Sequence, residues 1–254
     1  MTLAEKYSLA RKSAVVTGAG NGIGRAIALA FAEAGANVAC VDLDKAAADA
    51  TAAKIGSAAF AVACDVSRES DVEAAAKSIL AKFPAIHILV NGAAGNDPNG
   101  TVLELSLADW NKVFAVNVGG AFLISRAILP AMIEAGGGSV IHIASQLGSV
   151  AGPRRAVYCA TKGALIQLAK AMATDHAAQN VRVNTLSPGA VETDRLVKRF
   201  GDMETARRTA APKHLLQRLG QVDEIAQAAV FLASDASSFM TGADLLVDGG
   251  YNAT

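Results

Sequence analysis

Tyr158 and Lys162 stand four residues apart in the stretch Tyr158-Cys159-Ala160-Thr161-Lys162-Gly163, and on a helix residues at i and i+4 share one face. A phenol then sits beside an ammonium. A nearby positive charge favours phenolate, so a tyrosine with an ordinary pKa of about 10 can be drawn toward working pH and exchange a proton with a substrate oxygen. The same spacing also serves ordinary packing, so its meaning depends on its companions.

Three of these lie upstream. Thr17-Gly18-Ala19-Gly20-Asn21-Gly22-Ile23-Gly24 follows one apolar run and opens a helix-forming segment. Glycines there permit a tight turn, close approach of backbone to a pyrophosphate, and helix N-terminal amides that face the anion. Asp42 ends the second apolar run, about 20 residues beyond the turn, where a carboxylate accepts hydrogen bonds from an adenosine ribose and repels a 2′-phosphate. Neither Asn21 nor Leu43 is basic, which favours NAD over NADP. The plain alternatives are a tight strand-to-helix connection for the turn and a turn residue or N-cap for Asp42. Ser145 follows a later apolar run. It lacks a GxSxG setting and a nominated histidine partner, so it reads as a hydrogen-bonding group rather than a nucleophile. His142 reads as packed in its strand.

These residues need a frame. Short apolar runs at 13–17, 37–42, 58–65, 86–91, 139–144, 181–186 and 244–247 read as strands, and Ala-rich segments near 22–33, 45–54, 69–82, 107–135, 156–178 and 222–233 as helices. The fourth helical segment is expected to break near Gly119-Gly120. Strands without clean alternation belong to parallel sheets covered by helices on both faces. The expectation is one domain over 1–254: an α/β, doubly wound, Rossmann-type three-layer sandwich with a predominantly parallel seven-stranded sheet, least regular over 190–220.

Composition narrows the classes. With 52% hydrophobic and 18% charged residues there is material for a large core. Lys plus Arg and Asp plus Glu both number 23, so no basic field draws nucleic acid or an anionic membrane. Cys40, Cys64 and Cys159 have no CxxC spacing, which argues against a disulfide framework and against a metal site. The first ten residues lack a signal peptide's apolar core and no apolar run approaches the roughly 20 residues that span a bilayer, so the expected location is cytoplasmic.

With Gly18, Gly22, Gly24, Asp42, Ser145, Tyr158 and Lys162 in this order, the chain resembles a short-chain dehydrogenase/reductase over nearly its full length. Asp65-Val66, Asn91, Asn117, Pro188-Gly189 and Asp248-Gly249-Gly250 also fit that pattern. The resemblance implies that Tyr158 is the general acid/base, that Ser145 hydrogen-bonds the substrate oxygen, and that Lys162 holds the nicotinamide ribose while lowering the tyrosine pKa. It further implies a water relay at Asn117, adenine contacts from Asp65 and Val66, and Asn91 beside the adenosine ribose. Pro188, Val191 and Thr193 would border the nicotinamide, with the glycine turn, including Asn21 and Ile23, on the phosphates. A homotetramer is also implied.

One position departs from the family. Asn91-Gly92-Ala93-Ala94-Gly95-Asn96 has glycine where the family commonly has a second asparagine, which removes a hydrogen-bonding side chain. On the substrate side, Arg155 lies three residues before Tyr158, and a guanidinium there can clamp a carboxylate bidentately, with Asn96 adding a polar contact. The alternative is a solvated Arg154-Arg155 pair on a loop. The 190–220 segment carries more basic than acidic residues and is implied by the resemblance to be a substrate lid. The expected function is an NAD-dependent oxidoreductase that interconverts a secondary alcohol and a ketone, on a polar or anionic hydroxy compound such as a sugar derivative or hydroxy acid. The alternatives are a 3-oxoacyl thioester reductase and a catalytically inactive nicotinamide-sensing binding protein.

Overall fold

The computed structural model describes residues 2–253. In chain order it places α1 (Leu3–Tyr7), β1 (Ser13–Thr17), α2 (Gly22–Glu33), β2 (Asn37–Asp42), α3 (Lys45–Ile55), β3 (Ala59–Ala63), α4 (Glu69–Lys82), β4 (Ile88–Asn91), α5 (Leu107–Phe114) and α6 (Gly120–Glu134). There follow β5 (Gly138–Ile143), α7 (Ala156–His176), β6 (Val181–Pro188), α8 (Asp194–Phe200), α9 (Met203–Ala210), α10 (Val222–Ala233) and β7 (Asp244–Val247). The seven strands form one sheet in the order β3-β2-β1-β4-β5-β6-β7, and every pairing is parallel.

The pleat of the strands divides the core in two. Val16, Val38, Cys40, Ile88, Val90 and Ile141 pack beneath α2, α3 and α10. Their neighbours Val15, Ala39, Val41, Leu89 and Val140 face the other way, beneath α4, α6 and α7. Both faces are apolar because both are covered, which is why the sequence shows continuous runs rather than alternation. The strand order reverses between β1 and β4, so the crevice beyond their carboxyl ends is the place where this architecture receives a ligand.

Three expectations change. The fourth helical segment does not break at Gly119-Gly120: α5 and α6 join through a π-helical turn at Ala115–Gly119. A Cβ on Gly120 would lie 2.6 Å from Val66 Cγ2, so the glycine lets this helix press on the turn after β3. The continuous helix, residues 107–134, is long and apolar enough by composition to cross a bilayer, contrary to the expectation that no run is. Its apolarity is used inside the fold, where Ile124, Ile128 and Met132 are buried among sheet residues. The 190–220 segment, expected to be irregular, holds α8 and α9. Asp202 caps α9 by accepting the Thr205 N–H at 2.7 Å, and Val191 bridges Gly220 at the base of the segment.

The glycine in place of a second asparagine has a steric reason. A Cβ on Gly92 would lie 2.7 Å from the Thr17 carbonyl oxygen, and one on Gly18 would lie 2.9 Å from Gly92 itself. The backbones after β1 and β4 therefore touch. Thr17 Oγ1 seals the contact, donating to Val90 O and accepting the N–H groups of Gly92 and Ala93. Gly92→Asn is expected to destabilise the protein by about 1–3 kcal/mol through overpacking against backbone, read as a lower urea midpoint. An unchanged midpoint would show that the two turns can part at no cost.

Candidate active site

Tyr158 lies in the first turn of α7, and the helix carries Lys162 one turn further into the protein. Lys162 is 3% exposed. Its Nζ donates to the Ile143 carbonyl at the end of β5, 2.6 Å away, and stands 5.6 Å from the centre of the Tyr158 ring. Burial, reinforced by the positive charge of Arg195 and opposed by Asp97, pushes the Lys162 pKa down to about 7. The ammonium beside the phenol is thus a titrating group near neutrality. Ser145 follows β5 and starts a 3-10 turn at Gln146–Gly148, its Oγ accepting the Leu147 N–H at 3.2 Å. Its hydroxyl proton is left for a substrate oxygen. A Cβ on Gly148 would lie 3.0 Å from the Lys162 backbone, so the serine turn rests directly on the catalytic helix.

Asn117 sits buried in the π-helical turn. Its Oδ1 accepts the Gly95 N–H at 2.9 Å and its Nδ2 donates to Thr161 Oγ1 at 3.1 Å, while the Thr161 hydroxyl donates to Tyr158 O at 2.9 Å. Both ends of the amide are engaged by protein, and the residue ties the segment after β4 to the catalytic helix. His142 is fully buried, as expected for a strand residue. Burial first and the Lys162 charge second push its pKa down to about 4, which keeps it neutral. Its Nδ1 accepts from Asn91 Nδ2, which also donates to Ser125 Oγ. The Asn91 Nδ2 is therefore occupied inside the sheet layer, while its Oδ1 is buried without a hydrogen-bond partner among the described residues.

The glycine turn fits a dinucleotide phosphate. Gly18 and Gly22 adopt φ of 71° and 52°, values that favour glycine. Asn21 precedes α2 without a side-chain cap, so the first amides of the helix keep their hydrogens for an anion. Gly24 is buried beneath the turn and Ile23 packs on the core. The Asp42 carboxylate accepts the N–H groups of Gly20 at 2.8 Å and Asp44 at 3.0 Å. Asp44, not Asp42, caps α3, so the capping alternative for Asp42 is not what the structure shows. Each Asp42 oxygen retains a lone pair for a ribose hydroxyl. Thr193, at the start of α8, sets its Cγ2 3.4 Å from where a Cβ on Gly22 would be, which brings the base of the 190–220 segment beside the turn. Val191 and Pro188 are buried at the root of that segment. Val66 is buried against Gly120, and the Asp65 carboxylate is held below its usual range by the Ser67 hydroxyl and N–H.

The substrate side differs from both readings of the arginine pair. Arg154 is exposed and pairs with Glu104 at 2.9 Å. Arg155 is buried and ion-paired to Asp97, with its guanidinium carbon 4.3 Å from the centre of the Tyr158 ring. It is neither solvated nor an unpaired clamp. Burial raises the Asp97 pKa against the pull of Arg155, Arg195 and Lys162. Asn96, expected to contact substrate, is exposed. Asp97 is the residue that sequence reasoning passes over. Its signal was one carboxylate next to Asn96 in a glycine-rich stretch, with no spacing rule to link it to Arg155. Within the 190–220 segment Arg207 is held bidentately by Glu192, and Arg218 by Glu224 from α10. Arg195 reaches the site, 5.6 Å from the Tyr158 ring centre.

Known proteins bear on this geometry. The family described as Enoyl-(Acyl carrier protein) reductase matches residues 18–252. D-threitol dehydrogenase of Mycolicibacterium smegmatis is 43% identical over 249 residues, covering 96% of this chain and 94% of that one. The chain belongs to the short-chain dehydrogenase/reductase family. Among solved structures, 3-ketoacyl-(acyl-carrier-protein) reductase from Brucella melitensis, complexed with NADH, superposes with a TM-score of 0.88 at 38% identity over 96% of this chain and all of that one. Gluconate 5-dehydrogenase from Burkholderia cenocepacia, with NADP and tartrate, superposes with a TM-score of 0.93 at 35% identity over the whole of both chains. This short-chain dehydrogenase is an oxidoreductase, and its solved neighbours are complexed with NADH in one case and NADP in the other.

The Lys162 environment predicts a stability profile. Its folded pKa, about 7, is depressed from an ordinary 10.5. Between those values the unfolded chain binds more protons than the folded one, so the stability of the ligand-free dehydrogenase is expected to rise with pH by up to about 1.4 kcal/mol per unit. Below pH 7 both states are protonated and the full penalty applies. Urea midpoints from pH 6 to 9 check this, and Lys162→Met should flatten the rise.

Proposed function

We propose that the protein is an NAD-dependent dehydrogenase that interconverts a secondary alcohol of a polyol or related sugar derivative with its ketone. The observation that carries this reading is the placing of Tyr158, Ser145 and a buried Lys162 of near-neutral pKa around the end of β5, at the same end of the sheet as the glycine turn. Bound nicotinamide would supply the acceptor or donor of the hydride. Ser145 Oγ–H holds the substrate oxygen, and Tyr158 Oη removes its proton in oxidation or returns one in reduction. Lys162, when protonated, favours the phenolate. Tyr158 is kept in place through Thr161 and Asn117.

Support for NAD comes from Asp42, whose carboxylate meets the turn at Gly20 with no basic residue at Asn21 or Leu43 to receive a 2′-phosphate. Support for a polyol comes from the 43% identity to D-threitol dehydrogenase. A second reading, reduction of a 3-oxoacyl thioester, is favoured by the Brucella melitensis neighbour, and parallel assays with both substrate classes separate the two. A homotetrameric, cytoplasmic enzyme with α8 and α9 as its lid belongs to the same reading, on family resemblance.

Two outcomes test it. Tyr158→Phe is expected to lower kcat for D-threitol by about 10²–10⁴-fold, the size of a lost acid/base, while NAD binding by fluorescence persists; undiminished turnover would remove the proton-transfer role. Asp42→Ser is expected to raise kcat/KM with NADP by about tenfold or more, since a like charge facing the 2′-phosphate costs several kcal/mol. Wild-type protein that prefers NADP would sink the Asp42 argument.

A further inference from the structure

Asp97 and Arg155 have side chains only 8% and 7% exposed, and they pair beside the ring of the proton-transferring tyrosine. The pair is incomplete. Asp97 Oδ1 and Arg155 Nε are buried without a hydrogen-bond partner among the described residues. An unmet buried acceptor next to an unmet buried donor is a standing cost, and native proteins seldom bear it unless something else supplies the bonds. A hydroxyl group is at once donor and acceptor, so the hydroxyls of a polyol can satisfy both atoms. A carboxylate cannot: it has no proton for Oδ1 and meets a like charge there, while the guanidinium it would seek is already compensated.

Access to the pair is through the lid. Arg195 on α8 stands 5.6 Å from the same ring centre, and α8 packs through Leu196 and Phe200 on α9 and Leu219 in a small cluster separate from the two sheet cores, so α8 and α9 can lift together without opening either of those. The opposite side is fixed. The Gly100 N–H donates to Arg154 O and Gly100 bridges Arg155, which holds the segment bearing Asp97 against the start of α7.

We propose that Asp97 and Arg155 are specificity-determining residues that bind hydroxyls of the substrate beside the carbinol facing Tyr158, selecting neutral polyols over hydroxy acids. Asp97 Oδ1 accepts from one hydroxyl and Arg155 Nε–H donates to the same or the next one. This rests on the polyol reading above and names the groups that carry it.

The test is steady-state kcat/KM for D-threitol and for D-gluconate, with wild type and Asp97→Asn, using NAD and NADP. Asp97→Asn frees the guanidinium charge and removes the carboxylate acceptor. The ratio of D-threitol to D-gluconate is expected to fall about a hundredfold, through loss on one substrate and gain on the other. A pair that only supports the fold would lower both substrates in parallel and leave the ratio unmoved, and that result overturns the proposal. Because Asp97→Asn leaves a buried cation unpaired, the double variant Asp97→Leu, Arg155→Met serves as a second arm, since apolar replacement of a buried pair is often tolerated. It should lose the D-threitol preference without gaining D-gluconate activity, and wild-type kcat/KM for D-threitol in that variant would equally overturn the proposal. A wild type inert toward D-threitol with either cofactor would overturn the polyol reading itself and this inference with it, an outcome distinct from an active wild type whose ratio does not move.

Discussion

Gly18 and Gly92 meet backbone to backbone where β1 and β4 diverge, and the rest of the site depends on that closeness. From Gly92 the chain runs on to contacts with α7 and the π-helical turn. Gly95 donates to Asn117, which holds Thr161 and through it the first turn of the catalytic helix. Asp97 pairs with Arg155, Gly100 bridges it, and Glu104 receives Arg154. One segment after one strand thus joins the glycine turn to the helix that bears Tyr158 and to the Asp97–Arg155 pair. A side chain at Gly92 would push that segment from its anchor on Thr17, and three sets of contacts would shift together.

Electrostatics is the second constraint. Removing the Lys162 ammonium from water is costly, and one carbonyl, Ile143 O, is the acceptor it finds. The surroundings do not compensate fully, because Arg195 adds like charge and Asp97 already serves Arg155. The lysine is therefore poised near neutrality rather than locked as a cation. A group of that kind suits a site where a proton must pass in both directions. His142, fully buried in β5 with the Lys162 charge near it, goes further and stays neutral.

Much of this was legible in the sequence, for reasons that can be named. Strands such as Ala14–Thr17 and Val38–Val41 are buried on both faces, so their apolar runs are unbroken and easily read. The Tyr158 and Lys162 spacing, the glycine turn and Asp42 lie within single elements or single turns, where local geometry follows from residue order. Contacts between distant segments are another matter. The Asp97 and Arg155 pair joins residues on separate connections, and neither spacing nor composition encodes their meeting. The π-helical turn at Asn117 reads as a break in sequence because glycines signal weak helix, while the close pressing of Gly120 on Val66 is what the glycine serves.

The same distinction governs how charge is read. Counted along the chain, 190–220 is basic, and Arg154-Arg155 adds two more cations near the tyrosine. Counted in space, Glu192, Glu224, Glu104 and Asp97 each face one of those arginines. The three exposed pairs contribute little to stability, while the buried fourth, Asp97 with Arg155, compensates the guanidinium nearest the Tyr158 ring. Arg195 is left as the guanidinium near the ring without an ion-pair partner among the described residues. Positive charge therefore reaches the Tyr158 ring from two sides, from Lys162 within α7 and from Arg195 on α8, each 5.6 Å from the ring centre.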